Sequence, residues 1–298
     1  MRAVLTALND ELQRLKATGV KSIPVSEEAL GALRIAATRA RESVPVPRPA
    51  PQAKAPAAAR APAPRGTGPS GFPPAPEFVL PEGDKAARWA ALRERVLNDP
   101  VCLRHLNPGR KVVFGVGSLD ARIFFVGEAP GADEEIQGEP FVGAAGQLLN
   151  KMIAATGLRR DEVYIGNIMN WRPQLPLGAG GTQSGNRPPT QDEMTYCLPY
   201  LRAQIAIVNP DIVVALGATA TQGLLGFGAF KALGDLRGQW REFSGKPLMV
   251  TYHPSYILRN PTSRSKRVIW EDFLKVMERA GMQVSAKQRG YFLDKGGF

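Results

Sequence analysis

Apolar positions in this chain follow three successive regimes. Over residues 1–42 they keep helical spacing: Leu5, Leu8, Leu12 and Leu15 form one stripe. A second run, SEEALGALRIAATRARE, follows Ser26 and carries Glu27 and Glu28 in its first turn. Over residues 44–78 (VPVPRPAPQAKAPAAARAPAPRGTGPSGFPPAPE and its edges) periodicity vanishes and proline recurs. Proline removes amide donors and blocks helix, so this stretch is expected to be an extended, semi-stiff linker. Its Arg48, Lys54, Arg60 and Arg65 give it a basic character. That suits either a plain spacer or a segment touching nucleic-acid backbone.

Beyond Phe78, short continuous apolar runs alternate with helical stripes. ARIFFVG (Ala121–Gly127), VYIGN (Val163–Asn167), DIVVALG (Asp211–Gly217) and PLMVTY (Pro247–Tyr252) read as buried strands. Between them lie a helix over Gly143–Gly157 and one opened by the Thr190/Glu193 capping box and running to about Val208. A short helix from Ala218 and a closing helix over SKRVIWEDFLKVMERAG complete the pattern. Four apolar strands separated by helices predict an α/β fold, a three-layer α/β/α sandwich around a central four-stranded parallel sheet. The expected organisation is a helical arm at 1–43, the linker at 44–78 and one domain at 79–298. In such sheets ligands bind beyond the carboxyl ends of the strands.

Composition narrows the partner. With 38 Lys and Arg against 27 Asp and Glu, the chain carries a net charge of +11, which favours a polyanion through Coulomb attraction and counterion release. Solubility alone is the blander reading of the same charge. No apolar run is long enough to span a bilayer, and the N-terminus becomes charged too early for a signal peptide. Two distant cysteines, Cys102 and Cys197, cannot form a disulfide scaffold and fit a reducing compartment. A cytoplasmic protein is expected.

The strand ends carry the chemistry. After the first strand come Gly127-Glu128-Ala129-Pro130-Gly131-Ala132-Asp133-Glu134-Glu135 and then Gly138-Glu139-Pro140-Phe141-Val142-Gly143. Asn167 closes the second, and His253-Pro254-Ser255-Tyr256-Ile257-Leu258-Arg259 follows the fourth. An aromatic face can stack a base, an amide can read an edge that both donates and accepts, and an imidazole can donate to a carbonyl oxygen gaining charge. Together they describe a pocket for an extruded pyrimidine. Taken singly, each has a structural reading: a tight turn for Gly127–Gly131, core for Phe141, a turn residue for Asn167, a structural imidazole for His253. The acidic residues Glu128, Glu134 and Glu135 could form a solvated loop.

In this order and spacing, GEAPGADEEIQGEPFVGAAGQLL, NIMNWRP and HPSYILRNP resemble the three motifs of the uracil-DNA glycosylase superfamily, specifically its family 4 branch, over roughly Val101 to Met277. The resemblance implies a monomeric, monofunctional glycosylase acting on uracil-containing DNA and leaving abasic DNA. Phe141 would stack the flipped uracil, Asn167 would bond its O4 and N3, and His253 would donate to O2. The backbone of Gly127, Ala129 and Gly131 would shape the pocket, and Glu128 would support a water. Pro254, Ser255, Tyr256 and Arg259 would press into the minor groove. Asn186 and Arg187, after the insert Gln174–Gly185, would also meet DNA.

Two departures qualify the resemblance. Family 4 members usually hold a four-iron cluster on four cysteines. Here Cys102 and Cys197 match two positions, while Asp99 and Trp171 occupy the others. Two thiolates are too few for such a cluster, so no metal or cofactor is expected. The insert is glycine-rich and could grip DNA or be a plain surface loop; at the place where a self-cross-linking branch carries a nucleophilic histidine, this chain has Asn186. Other readings are an abasic-site or uracil-DNA binder of slow turnover, and a nucleotide hydrolase binding phosphate at Gly127–Gly131, which the neighbouring carboxylates would oppose. The sequence names no partner for the arm.

Overall fold

The computed structural model describes residues 72–176 and 183–293, all within the second of the chain's two units, Gly66–Phe298. The expected arm at 1–43, the linker as far as residue 71 and the centre of the insert lie outside them.

Helix α1 (Lys85–Leu97) starts at Asp84, whose carboxylate accepts from Ala87 N, and α2 (Pro100–Arg104) starts at Asp99, which accepts from Cys102 N. There follow β1 (Val116–Gly117), β2 (Ile123–Gly127), α3 (Ala132–Gln137), α4 (Ala144–Thr156), β3 (Tyr164–Asn167) and α5 (Gln191–Val208). The chain continues through β4 (Ile212–Leu216), α6 (Ala218–Leu225), β5 (Trp240–Phe243), β6 (Lys246–Thr251), α7 (Ser255–Arg259), α8 (Ser263–Arg279) and α9 (Ala286–Arg289). The Thr190/Glu193 capping box opens α5 as its spacing predicts, and Gly157 ends α4 in the left-handed region.

The sheet order is β1-β3-β2-β4-β6-β5. Its four inner strands are the four expected ones, all parallel. The count, however, is six, because β1 and β5 add antiparallel edges. A two-residue β1 is too short to leave a periodic signal. Strand β5 is half polar because it is an edge, and it turns into β6 through Ser244-Gly245, both at positive φ (51° and 72°). That is the geometry of a tight primed hairpin.

Side chains of the inner strands alternate between two cores. Phe124, Val126, Val213, Ala215, Leu248 and Val250 pack with residues of α1, α5 and α6. Ile123, Phe125, Ile212, Val214 and Met249 pack with α4 and α8. Each buried aliphatic or aromatic side chain contributes roughly 1.5–3 kcal/mol, so the sheet is a rigid platform for the loops above it. The domain also begins earlier than residue 79. Phe72 stacks toward Trp171 and His105, and Phe78 lies 5.4 Å from Tyr200, ring to ring. The end of the expected linker thus packs against the core, for its two half-buried phenylalanines cover apolar surface that proline content conceals.

Candidate active site

The carboxyl ends of the parallel strands open into one cavity of about 560 Å³. Glu128, Ala129 and Gly131 after β2, Phe141 before α4, Asn167 at the end of β3, and His253, Ser255 and Arg259 after β6 all line it, with Asn186. Gly127 lies beneath: a Cβ there would run into both the Asn167 amide and the Phe141 ring. The backbone must therefore be bare for the two side chains to meet.

Phe141 is held in a conformation its side chain disfavours, with φ at +55°. For a bulky residue this costs roughly 1–3 kcal/mol and persists only where neighbours enforce it. Arg160 Nη2 and Nη1 donate to the carbonyls of Pro140 (2.6 Å) and Phe141 (3.2 Å). Glu134 Oε1 accepts from Val142 N and Gly143 N, and its Oε2 from Gly131 N. Gly146 of α4 sits against the Phe141 carbonyl, where a Cβ would overlap it. These bonds aim the ring into the cavity, 5.6 Å from the His253 ring, centroid to centroid.

His253 Nδ1 accepts from Ser255 N at 3.2 Å and meets Ser255 Oγ at 2.9 Å. With Nδ1 an acceptor, the ring proton sits on Nε2. Burial, aided by the Arg259 charge, lowers the imidazole to about 4, so at neutral pH the ring is an uncharged donor. Arg259 Nη1 donates to Ser255 Oγ at 3.1 Å, completing a chain from the surface to the ring. Asn167 is buried, and its Oδ1 has no hydrogen-bond partner. An orphaned buried acceptor costs about 1–3 kcal/mol, which a ligand N–H would relieve. Burial raises the Glu128 carboxyl, opposed by a hydrogen bond from Thr219, which also lines the cavity.

Three expected contacts lie apart. Pro254 is buried, and Tyr256 stacks on Tyr252 at 4.4 Å, in a short helix rather than an open loop. Arg187 is occupied by a two-pronged pair with Glu193 (2.8 and 2.7 Å), and its Nε donates to Gln174 O. Glu134 and Glu135 are buried and bonded, not a solvated loop. Sequence reasoning missed Thr219, Arg160 and Gly217. Only Gly217 left a signal, a glycine ending a strand: at φ +94°, its missing Cβ makes room for His253.

The sequence matches the family described as "Uracil DNA glycosylase superfamily" over residues 114–274. This chain belongs to that superfamily. The Type-4 uracil-DNA glycosylase of Thermotoga maritima is 43% identical over 183 residues, 61% of this chain and 89% of the relative. That of Archaeoglobus fulgidus is 40% identical over 173 residues, 56% and 81%. The Type-5 uracil-DNA glycosylase of Thermus thermophilus is more distant, 28% identical over 65% and 90%. The superfamily fold and the four-strand parallel core agree.

The four positions that the resemblance assigns to a cluster do come together, but they do not fit one. Asp99 Oδ1 accepts from Cys102 N at 2.7 Å, and its Oδ2 from the hydroxyls of Tyr196 (2.9 Å) and Tyr200 (2.7 Å). Burial raises this carboxyl, yet the Cys102, Tyr200 and Tyr196 bonds outweigh it and hold it below its ordinary value. Trp171, wholly buried, fills the third position with its indole, stacked 5.1 Å from His105. Cys102 and Cys197 are buried free thiols. A hydrogen bond to Cys197, then burial, raises Cys102, so it stays protonated. Among the described residues no group of three or more His, Cys, Asp or Glu could hold a metal ion, and no helix is long and apolar enough to cross a membrane.

Proposed function

We propose that this protein is a monofunctional uracil-DNA glycosylase of base excision repair, hydrolysing the N-glycosidic bond of deoxyuridine in DNA to free uracil and an abasic site. The observation that carries the reading is the unpartnered Asn167 Oδ1, buried in the same cavity as an aromatic face and a neutral imidazole donor. Uracil N3–H supplies the missing donor, and the same amide donates to O4. Phe141 stacks the ring, a contact worth roughly 1–3 kcal/mol.

The chemistry concerns charge. As the bond to the sugar lengthens, uracil gains negative charge and the sugar gains oxocarbenium character. His253 Nε2–H faces that charge at O2 and, being neutral and fixed by Ser255, needs no reorganisation. Glu128, which lines the cavity beside Thr219, orients the water that attacks the sugar. No lysine lines the cavity among the described residues, so no Schiff base forms and the strand stays intact. Arg259 and Ser255 at the rim meet phosphate, and the exposed Leu258 (48%) fills the space the base vacated.

The enzyme works as a cytoplasmic monomer without an iron–sulfur cluster, Asp99 and Trp171 having replaced two ligands. Purified protein incubated with a uracil-containing oligonucleotide tests the reading. The backbone is expected to remain whole until alkali nicks it, with His253→Ala and Asn167→Asp slowing release by about 10²-fold or more. Unchanged rates in both variants would remove the pocket assignment. A reductant-bleachable absorbance band and stoichiometric iron would overturn the cluster-free form. A product-holding binder of abasic DNA is the second reading, favoured by Asn186 at the cavity rim; a burst limited to one turnover would support it.

A further inference from the structure

A set of bonds at the cavity rim is not used by the chemistry above. Arg172 is buried. Its Nη1 donates to Glu135 Oε1 at 2.8 Å, its Nε to Asn186 Oδ1 at 2.8 Å and its Nη2 to Gly185 O at 2.7 Å. Glu135, also buried, accepts at Oε2 from Asn107 Nδ2 at 3.1 Å. Gln183 closes the neck of the insert: Nε2 donates to the carbonyls of Pro173 (3.0 Å) and Gly185 (3.2 Å), while Oε1 accepts from Leu175 N (3.1 Å). The C-terminal end of the inserted loop is therefore fastened to a buried ion pair, and Gln183 ties the loop's two ends to each other.

Asn186 is exposed and lines the cavity. Its amide is planar, so with Oδ1 turned to Arg172, Nδ2 faces away from it. Among the described residues Nδ2 donates to none. With Oδ1 engaged by Arg172, the group the side chain turns away from the ion pair is its N–H, which calls for an acceptor. Deep in the cavity Phe141, Asn167 and His253 already surround a base; at the rim the acceptors of an extruded nucleotide are its phosphate oxygens. The lining carboxylates of Asp133 and Glu134 repel a phosphate, whereas a fixed neutral donor holds one.

We propose that Asn186 Nδ2 donates to a phosphate oxygen of the extruded nucleotide and that Arg172 is the positioning residue that presents it. The insert's neck thereby helps to hold both uracil DNA and the abasic product. This rests on the excision reading, but its test is separable, because binding to a duplex with a stable abasic analogue needs no bond cleavage.

With the full chain, fluorescence anisotropy on that duplex would be combined with KM and kcat on uracil DNA. Asn186→Ala is expected to weaken binding about ten-fold, the contribution of one hydrogen bond to a charged group, with the loss in KM rather than kcat. Asn186→Asp should weaken it further, since a carboxylate would oppose the phosphate. Arg172→Lys keeps a charge beside Glu135 but lacks the fork that reaches Asn186 and Gly185. It should match Asn186→Ala, and the double variant should bind no worse than Asn186→Ala alone. Gln183→Ala, which loosens the neck without touching the ion pair, is expected to act in the same direction and keeps the test open should Arg172→Lys not fold. Binding within two-fold of wild type for Asn186→Ala, or losses that multiply in the double variant, would overturn the proposal. Failure of the wild type to release uracil would overturn the excision reading, while the abasic-duplex measurements still decide this one.

Discussion

The neutral state of His253 makes a prediction that an ordinary histidine would not. Burial first, and Arg259 second, lower it from 6.5 to about 4. The difference of about 2.5 units disfavours the imidazolium roughly 300-fold relative to an exposed ring. If the neutral Nε2–H is the electrophile, the single-turnover rate should stay flat through pH 6.5 and halve only near pH 4. The same shift has a cost in stability. A depressed folded-state value means that the unfolded chain binds the proton first, so stability falls as pH drops below 6.5. The loss approaches about 3 kcal/mol by pH 4. Circular dichroism must therefore accompany each rate, to separate unfolding from titration. Arg259→Gln removes the second cause and should move the inflection upward without abolishing it. An inflection at 6.5, or a rate that rises as the ring becomes protonated, would refute the neutral-donor argument.

Gly127→Ala should cost about 1–3 kcal/mol in thermal or urea unfolding, because its methyl meets the Asn167 amide and the Phe141 ring. The rate should fall by about 10²-fold even where the domain stays folded, since both uracil contacts are displaced. Glu128→Gln should slow excision while leaving the affinity for an abasic duplex near wild type; equal losses in both would remove it as the water's partner. Leu258→Ala should slow excision from duplex DNA more than from single strands, because only a duplex leaves a gap to be filled. Equal effects on both substrates would count against that role.

The parallel core was legible because its strands are buried on both faces and read as unbroken apolar runs. The edges were not. Strand β1 is two residues long, and β5 mixes Trp240 and Phe243 with Arg241 and Glu242. The first phenylalanines of the domain, Phe72 and Phe78, were hidden within a proline-rich context. Of the site, Phe141, Asn167 and His253 were readable as three side-chain types at strand ends. Their supports were less so, for support is a matter of reach across the chain. Arg160 lies nineteen residues after the Phe141 carbonyl it binds. Thr219 approaches Glu128 from the first turn of α6, after a different strand. Arg187 misled for the same reason: an arginine beside a predicted DNA contact looks available until Glu193, six residues on, is seen to occupy it.

The altered cluster site and the loop neck are one mechanical problem. Trp171 and Arg172 are adjacent, and their side chains serve different environments. The indole packs among His105, Phe72 and Tyr196, while the guanidinium reaches Glu135 and the stem of the insert. A metal cluster would anchor this segment through a third thiolate; on the cluster-free reading proposed above, packing does so. Asp99 contributes by tying α2 to α5 through Tyr196 and Tyr200. A carboxylate that accepts from three donors is stable in a buried place, and it leaves the site one negative charge beside the Cys102 thiol, which burial helps to keep protonated. On the cluster-free reading, two of the four ligands, at Asp99 and Trp171, are thus exchanged for hydrogen bonds and aromatic surface. The pocket depends on this segment, because the same strand-to-loop passage that ends in Trp171 and Arg172 begins with Asn167.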